Sequence, residues 1–325
     1  MEAGVRNRAA YILIASLSLL ASCHGVKKKR IAVIPKATSH IFWLSIRAGA
    51  EAAAQKFGVE MIWNGPPQET EYDRQMQIVD SMIAQHVDGL AVAAAERQAL
   101  NRSLDRAAQL GIPVTVFDSG VDSTNYMTFI ATNNYEGGKM AARELARLVG
   151  GQGSVAMVMH TPGSQSTMDR ERGFDEVMNA EFPKIQVVAR QYGMSDRSKA
   201  MGAAENILTA HPDLNGIFAS AEPSSMGVTL ALKSRGLAGK VKCVTFDSSD
   251  QLIEDLKSGV IDTMVVQDPF RIGFEAVKTL VDKLNGITSP KQIDLPARLV
   301  AKGDLDKPDI HELLYPDVKK YTNAP

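Results

Sequence analysis

The sequence predicts an α/β protein built of two doubly wound, parallel-sheet units, and three observations predict it. From Arg30 onward, short apolar runs alternate with longer amphipathic stretches, the pattern of parallel strands covered by helices. The rhythm breaks at Gly150-Gly151-Gln152-Gly153 and then restarts on the same plan. The 325 residues suffice for two cores of ordinary domain size, and 45% hydrophobic with 22% charged residues is a globular balance.

Taken in order, the first unit reads as strands over residues 31–35, 60–63, 89–93, 114–117 and 129–131, with helices over 41–57, 73–86, 97–110 and 135–149. The first helix ends at Gly58, and the third at Gly111 with Pro113 beyond. Glycine allows the left-handed turn that closes a helix, and proline cannot continue one. After the glycine-rich break, strands over 155–159, 185–191, 216–219 and 241–246 alternate with helices over 166–181, 197–210, 224–235 and 251–258. No short-period repeat or low-complexity tract is visible. In open α/β sheets a ligand binds outside the carboxyl ends of the strands. That rule selects Lys36, residues 94–96, Asp118, residues 160–166, residues 220–223 and Asp247.

The first thirty residues read as an address. Arg6 and Arg8 precede an apolar stretch over 9–20, followed by the small residues Ala21 and Ser22, the layout of a secretory signal. Leu20-Ala21-Ser22-Cys23 resembles the lipobox of bacterial lipoproteins. That resemblance implies a signal over 1–22, lipidation of Cys23 and a membrane anchor; a plain cleaved signal and an uncleaved anchor are the alternatives. Residues 23–29 form a basic linker, either solvated or touching anionic headgroups. Cys243, in a strand-like run, reads as a buried, inert thiol.

With 36 Lys+Arg against 37 Asp+Glu, the net charge of -1 offers no field to hold a nucleic acid. No phosphate-binding GxxxxGK[ST] loop, GxSxG or HExxH pattern occurs, no GxGxxG turn opens a helix, and the two cysteines form no metal-binding cluster. No catalytic residue, cofactor or metal is therefore expected. The strand ends suit a polyol instead: the carboxylates of Asp118 and Asp247 accept hydrogen bonds from hydroxyls, and Arg170 supplies a fork of donors. Phe42, Trp43 and Phe246 offer flat apolar faces to the C–H side of a sugar ring, although Phe42 and Trp43 equally suit the core of the first helix. His40, just before that helix, either donates to a ligand or is a structural or surface residue.

Over almost all of residues 30–300 the sequence resembles the ribose-binding-protein type of periplasmic solute receptor. The likeness is carried by Ile31-Ala32-Val33-Ile34-Pro35-Lys36 with Phe42-Trp43, Gly111-Ile112-Pro113-Val114 leading to Phe117-Asp118, and Ala131-Thr132-Asn133-Asn134 before Gly137-Gly138. It continues through Arg170-Glu171-Arg172-Gly173-Phe174, Ala210-His211-Pro212-Asp213, Phe246-Asp247 and Gln267-Asp268-Pro269, in the family's order. The resemblance implies a three-strand hinge, an N-terminal lobe of 30–132 plus 268–296, and a C-terminal lobe of 133–267 plus 297–325. It also implies that Asp118, Arg170, Asp247 and Gln267 bind sugar hydroxyls, with Phe42, Trp43 and Phe246 at or beside the aromatic walls. The departures stand at Lys36, His40, Ala93, Ala221 and Glu222, where ribose receptors carry other residues. The opening strand and Asn64-Gly65-Pro66 look nearer to the autoinducer-2 and rhamnose receptors.

The expected function is thus a monomeric, lipid-anchored binding protein of the periplasm or cell surface that delivers a sugar-like solute to the permease of an ABC transporter. A sensory receptor presenting the same ligand to a membrane kinase or chemoreceptor is the alternative. A lac-repressor-type regulator needs a helix-turn-helix where this chain has its signal, and an enzyme needs a nucleophile and base that do not stand out.

Overall fold

The computed structural model describes residues 28–322, so the expected signal and Cys23 lie outside the described residues. Six strands, β1 (Arg30–Ile34), β2 (Glu60–Trp63), β3 (Gly89–Val92), β4 (Val114–Phe117), β5 (Thr128–Thr132) and β11 (Gln292–Leu295), form one parallel sheet in the order β2-β1-β3-β4-β5-β11. Six more, β6 (Gly153–Met159), β7 (Ile185–Tyr192), β8 (Gly216–Ala219), β9 (Lys242–Phe246), β10 (Thr263–Val266) and β12 (Arg298–Ala301), repeat that order as β7-β6-β8-β9-β10-β12. Only β12 runs antiparallel to its neighbour. β3, β4, β8 and β10 are buried at every residue, as expected when helices cover both faces.

The first sheet is covered by α1 (Ile41–Phe57), α2 (Tyr72–Ala84), α3 (Asn101–Gln109) and α9 (Pro269–Leu284); the second by α4 (Asn134–Leu148), α5 (Gln165–Glu181), α6 (Arg197–Ala210), α7 (Glu222–Ser234), α8 (Asp250–Ser258) and α10 (Pro308–Leu314). Each lobe has two cores, one per sheet face. Trp43, Ile46, Phe117 and Ile272 fill one face of the first sheet, and Val79, Ile83 and Leu104 the other. In the second, Phe174, Phe218 and Phe246 pack on one face and Ile207, Leu232 and Leu256 on the other. The structure is therefore two α/β lobes with parallel sheets, as the sequence predicts.

The chain passes between the sheets three times, after β5, after β10 and between β11 and β12. After each of the first two passages a side chain caps the next helix: Asn133 accepts from the Glu136 amide at 3.1 Å and Asp268 from the Arg271 amide at 2.9 Å, supplying partners for otherwise unsatisfied N–H groups. The helices they open pack closely. A Cβ on Gly138 of α4 would lie 1.9 Å from the Arg170 carbonyl of α5, and one on Gly273 of α9 would lie 1.9 Å from the Ile46 carbonyl of α1.

The structure differs from the sequence reading at the start of one helix and past residue 258. α3 begins at Asn101 rather than residue 97, because the Glu96 carboxylate accepts from the amides of Gln98 and Ala99 at 2.9 and 2.8 Å and holds residues 97–100 as turns. β10 and α9 extend the doubled rhythm past residue 258. Through α9 the chain returns to the first lobe, where Ile272, Ala276, Val277 and Leu280 join the core.

Candidate functional site

The carboxyl ends of both sheets converge on one void, about 340 Å³ including its opening to solvent. Two larger hollows, about 1020 and 1500 Å³, open beside tail residues 313–321 at the hinge and contain none of Lys36, Asp118 and Arg170. The void between the strand ends is the one that gathers directed polar groups.

Its two central carboxylates are built alike. Asp118 follows β4 and Asp247 follows β9; each has a left-handed backbone, φ 59° and 71°, and each donates its amide to the adjacent strand at 2.8 Å, to the Ile130 and Val265 carbonyls. Asp tolerates this conformation better than most residues because its short side chain is easily accommodated there. The turn lifts the carboxylate off the end of the strand. Asp118 Oδ2 meets Lys36 Nζ at 3.2 Å, and burial pushes its carboxyl upward against the pull of Lys36 and Arg170. Asp247 accepts from Gln267 Nε2 at 2.6 Å and from the Glu222 amide at 2.9 Å, with Arg170 Nη1 at 3.8 Å. Arg170 is itself held by Asn134 Oδ1 and the Ser220 carbonyl.

Of the residues selected from sequence, Lys36, His40, Phe42, Trp43, Asp118, Arg170, Glu222, Asp247 and Gln267 all line this void. Phe246 does not. Its ring is fully buried in the second lobe, with the Arg170 guanidinium 3.8 Å above the ring centroid, so it supports Arg170 from below instead of forming a wall. Trp43 is both core and wall: it is 1% exposed, packs edge-on against Phe42, and donates its indole N–H to Glu69 at 3.0 Å.

Glu69 also lines the void and is not singled out by strand-end reasoning, whereas its partner His160 falls within the selected residues 160–166. Glu69 lies in the connection between β2 and α2, and its other oxygen is 2.8 Å from His160 Nε2 at the end of β6. Both side chains are nearly buried, and the contact joins one lobe to the other. Burial alone pushes the Glu69 carboxyl up, but His160 and Lys36 more than reverse this and hold it well below the usual carboxylate range. Further contacts cross the same seam. Lys36 donates to Ser164 and Ser166 at 3.1 and 3.0 Å, the Ser166 amide donates to Ser119, and His40 lies 3.4 Å from the Ser195 hydroxyl. The lobes are closed on one another, with the polar groups enclosed between them. Among the described residues no group of three or more metal-ligating side chains occurs, and no helix is long and apolar enough to cross a membrane.

Comparison with known proteins agrees with this architecture. Residues 31–288 match the family described as periplasmic binding protein domain. The chain is 28% identical over 308 residues to the ribose import binding protein of Bacillus subtilis, across 91% of this chain and 99% of that protein. It is 27% identical over 311 residues to the D-ribose/D-allose-binding protein of Pseudomonas aeruginosa, across 91% and 97% respectively. Among solved structures, a solute-binding protein from Agrobacterium radiobacter in complex with D-arabinose superposes with a TM-score of 0.87 at 31% identity, covering 90% of this chain and all of that one. One from Agrobacterium vitis with bound D-fucose gives 0.86 at 32% identity, covering 88% and 100%.

Proposed function

The chain belongs to the type I periplasmic binding protein family of ribose-, allose- and arabinose-type sugar-binding proteins, and on that premise we propose that it captures a monosaccharide-sized sugar between its lobes and presents it to an ABC-type importer. Members of this family bind solute and are not enzymes. The observation that carries the reading is the pairing of Asp118 and Asp247 on twin left-handed turns at the ends of both sheets. Such carboxylates accept from sugar hydroxyls while Arg170 and Lys36 donate to ring or hydroxyl oxygens. Phe42 and Trp43 supply the apolar wall. We assign Lys36, His40, Phe42, Trp43, Asp118, Arg170, Glu222, Asp247 and Gln267 to the binding site, with Glu69 and His160 as the contact that holds it shut.

The three passages between the lobes act as the hinge, with lobes of 30–132 plus 268–296 and 133–267 plus 297–325 closing on the sugar. Import is preferred to sensing because relatives across nearly the whole chain are named for import. Anchoring through Cys23 after loss of residues 1–22, on the outer face of a membrane, rests on Leu20-Ala21-Ser22-Cys23. Mass spectrometry of the mature N-terminus checks it, and an unacylated N-terminus elsewhere than Cys23 rejects it.

A thermal-shift screen of the purified chain against pentoses, hexoses, deoxy sugars and polyols tests the main reading. Autoinducer-2 and rhamnose belong in the panel because of the likeness at Asn64-Gly65-Pro66. A true ligand at 100 times its Kd adds about 2.7 kcal/mol to stability. A folded protein that responds to none of them sinks the sugar assignment.

A further inference from the structure

Every cation at the void already has a carboxylate. Lys36 faces Asp118 at 3.2 Å, Arg170 faces Asp247 at 3.8 Å, and at the rim Arg197 meets Glu222 Oε1 at 2.6 Å. Glu69 is engaged by Trp43 and His160. Four carboxylates therefore stand against three permanent cations.

Among the buried side-chain atoms of the residues lining the void, two carbonyl-type oxygens and His160 Nδ1 are left without a partner. Glu222 is 1% exposed, and its Oε2 accepts no hydrogen bond. Its neighbour across the seam is His40 Nδ1, 3.8 Å away on the first lobe, beyond hydrogen-bond reach. Because Glu222 opens α7 of the second lobe, this oxygen looks across the cleft and away from its own core. Gln267 repeats the pattern. Its Nε2 donates to Asp247, which settles the orientation of the amide, and its Oε1 is left without a donor.

We infer that the solute is a polyhydroxylated molecule, either uncharged or carrying an amino group, that presents a hydrogen-bond donor to Glu222 Oε2, and that sugar acids and sugar phosphates are refused. This deepens the sugar-binding reading and rests on it. A ligand carboxylate or phosphate loses its hydration when the lobes close and meets four carboxylates against three cations, each of which already faces one of them. A hydroxyl or an ammonium instead gives Glu222 the donor it lacks. Glu222 thereby becomes a specificity determinant peculiar to this site.

Isothermal titration of the purified full chain at pH 7 tests the inference. The panel is D-ribose, D-allose, D-arabinose and D-fucose as neutral sugars, D-glucosamine and D-galactosamine as amino sugars, and D-galacturonate and D-ribose 5-phosphate as anions. The expected result is binding of at least one neutral or amino sugar, with both anions weaker by about 100-fold or more. Glu222→Ala should weaken the best ligand by about tenfold or more, the scale of one buried acceptor and its donor, with an unchanged melting temperature for the unliganded protein. Glu222→Gln separates the two donors: a hydroxyl ligand stays within about threefold, whereas an ammonium ligand loses more than about tenfold. An anion binding within tenfold of the best neutral sugar overturns the inference. So does undiminished affinity in both Glu222 variants, while leaving the sugar-binding reading intact. Binding of no member of the panel overturns both.

Discussion

The two lobes have the same strand order and the same left-handed aspartate at the site, yet they hold that aspartate differently. In the first lobe Asp118 leans on Lys36, a long side chain whose ammonium also reaches Ser164 and Ser166 in the opposite lobe. In the second, Asp247 is surrounded by Gln267, the Glu222 amide and Arg170, and Arg170 is braced by Asn134, Ser220 and Phe246. One half of the site is therefore completed by closure, while the other is organised within its own lobe and the adjoining hinge. The contrast teaches that two copies of one plan divide the work, one prearranged and one assembled when the lobes meet.

The strongest way to break this comparison is to neutralise each aspartate. Asp118→Asn and Asp247→Asn keep a residue tolerant of the left-handed turn, whereas alanine adds roughly 1–2 kcal/mol of backbone strain. Each is expected to cost about 3 kcal/mol of sugar affinity, since removing one partner strands a buried cation. Asp247→Asn should have the larger effect because it disturbs two hydrogen-bond donors and the facing Arg170 guanidinium. Equal and small losses measured by titration would dismiss the division of labour.

Next in size is the seam. Glu69→Gln should weaken sugar binding by about tenfold, the scale of one charge-assisted hydrogen bond. The unliganded melting temperature should stay nearly constant, because opening the cleft rehydrates His160 and each lobe keeps its own cores. A parallel fall in melting temperature and affinity would make Glu69 a folding residue instead of a closure residue.

Acidity sharpens the same contrast. Burial raises the Asp118 and Glu222 carboxyls, while Glu69 is held low. A raised carboxyl takes up its proton at higher pH in the closed protein than when solvated, so its ionised form weakens closure above the ordinary carboxylate range and that cost is relieved on acidification. Glu69 has the opposite sign: its contribution is present above the ordinary range and is lost only as pH falls through its depressed value. Closure, and with it sugar affinity, should therefore strengthen as pH falls from 7 toward the ordinary carboxylate range, while Glu69 remains charged. An affinity flat from pH 7 to 4 would contradict this.

The smallest effects belong to the helix caps at the hinge. Asn133→Ala and Asp268→Ala should each lower stability by about 1 kcal/mol in a denaturant titration, with little change in affinity. A large affinity loss from only one would show that the two passages bear unequal strain.

Most of the fold is legible in the sequence because buried parallel strands leave short apolar runs and helices end on readable signals such as Gly58 and Gly111. The site is legible to the extent that it obeys the strand-end rule, which finds Lys36, Asp118 and Asp247 directly. Glu69 escapes that rule: it sits six residues beyond β2 in a connection with no periodicity, and only the folded chain brings it to Trp43 and His160. Phe246 is misleading for the opposite reason, since its neighbour Asp247 turns into the cleft while its own side chain points into the core. The start of α3 was hidden by Glu96, whose capping role depends on loop geometry.

The discontinuity of the lobes also bears on the order in which they can form during synthesis. The helix that packs on α1 and the strand that pairs with β5 come from Pro269–Leu284 and Gln292–Leu295, so the amino-terminal lobe remains incomplete until nearly the whole chain has emerged from the ribosome. The carboxy-terminal lobe likewise waits for β12 and α10. Such long-range pairings delay folding, so neither half can be completed early in synthesis.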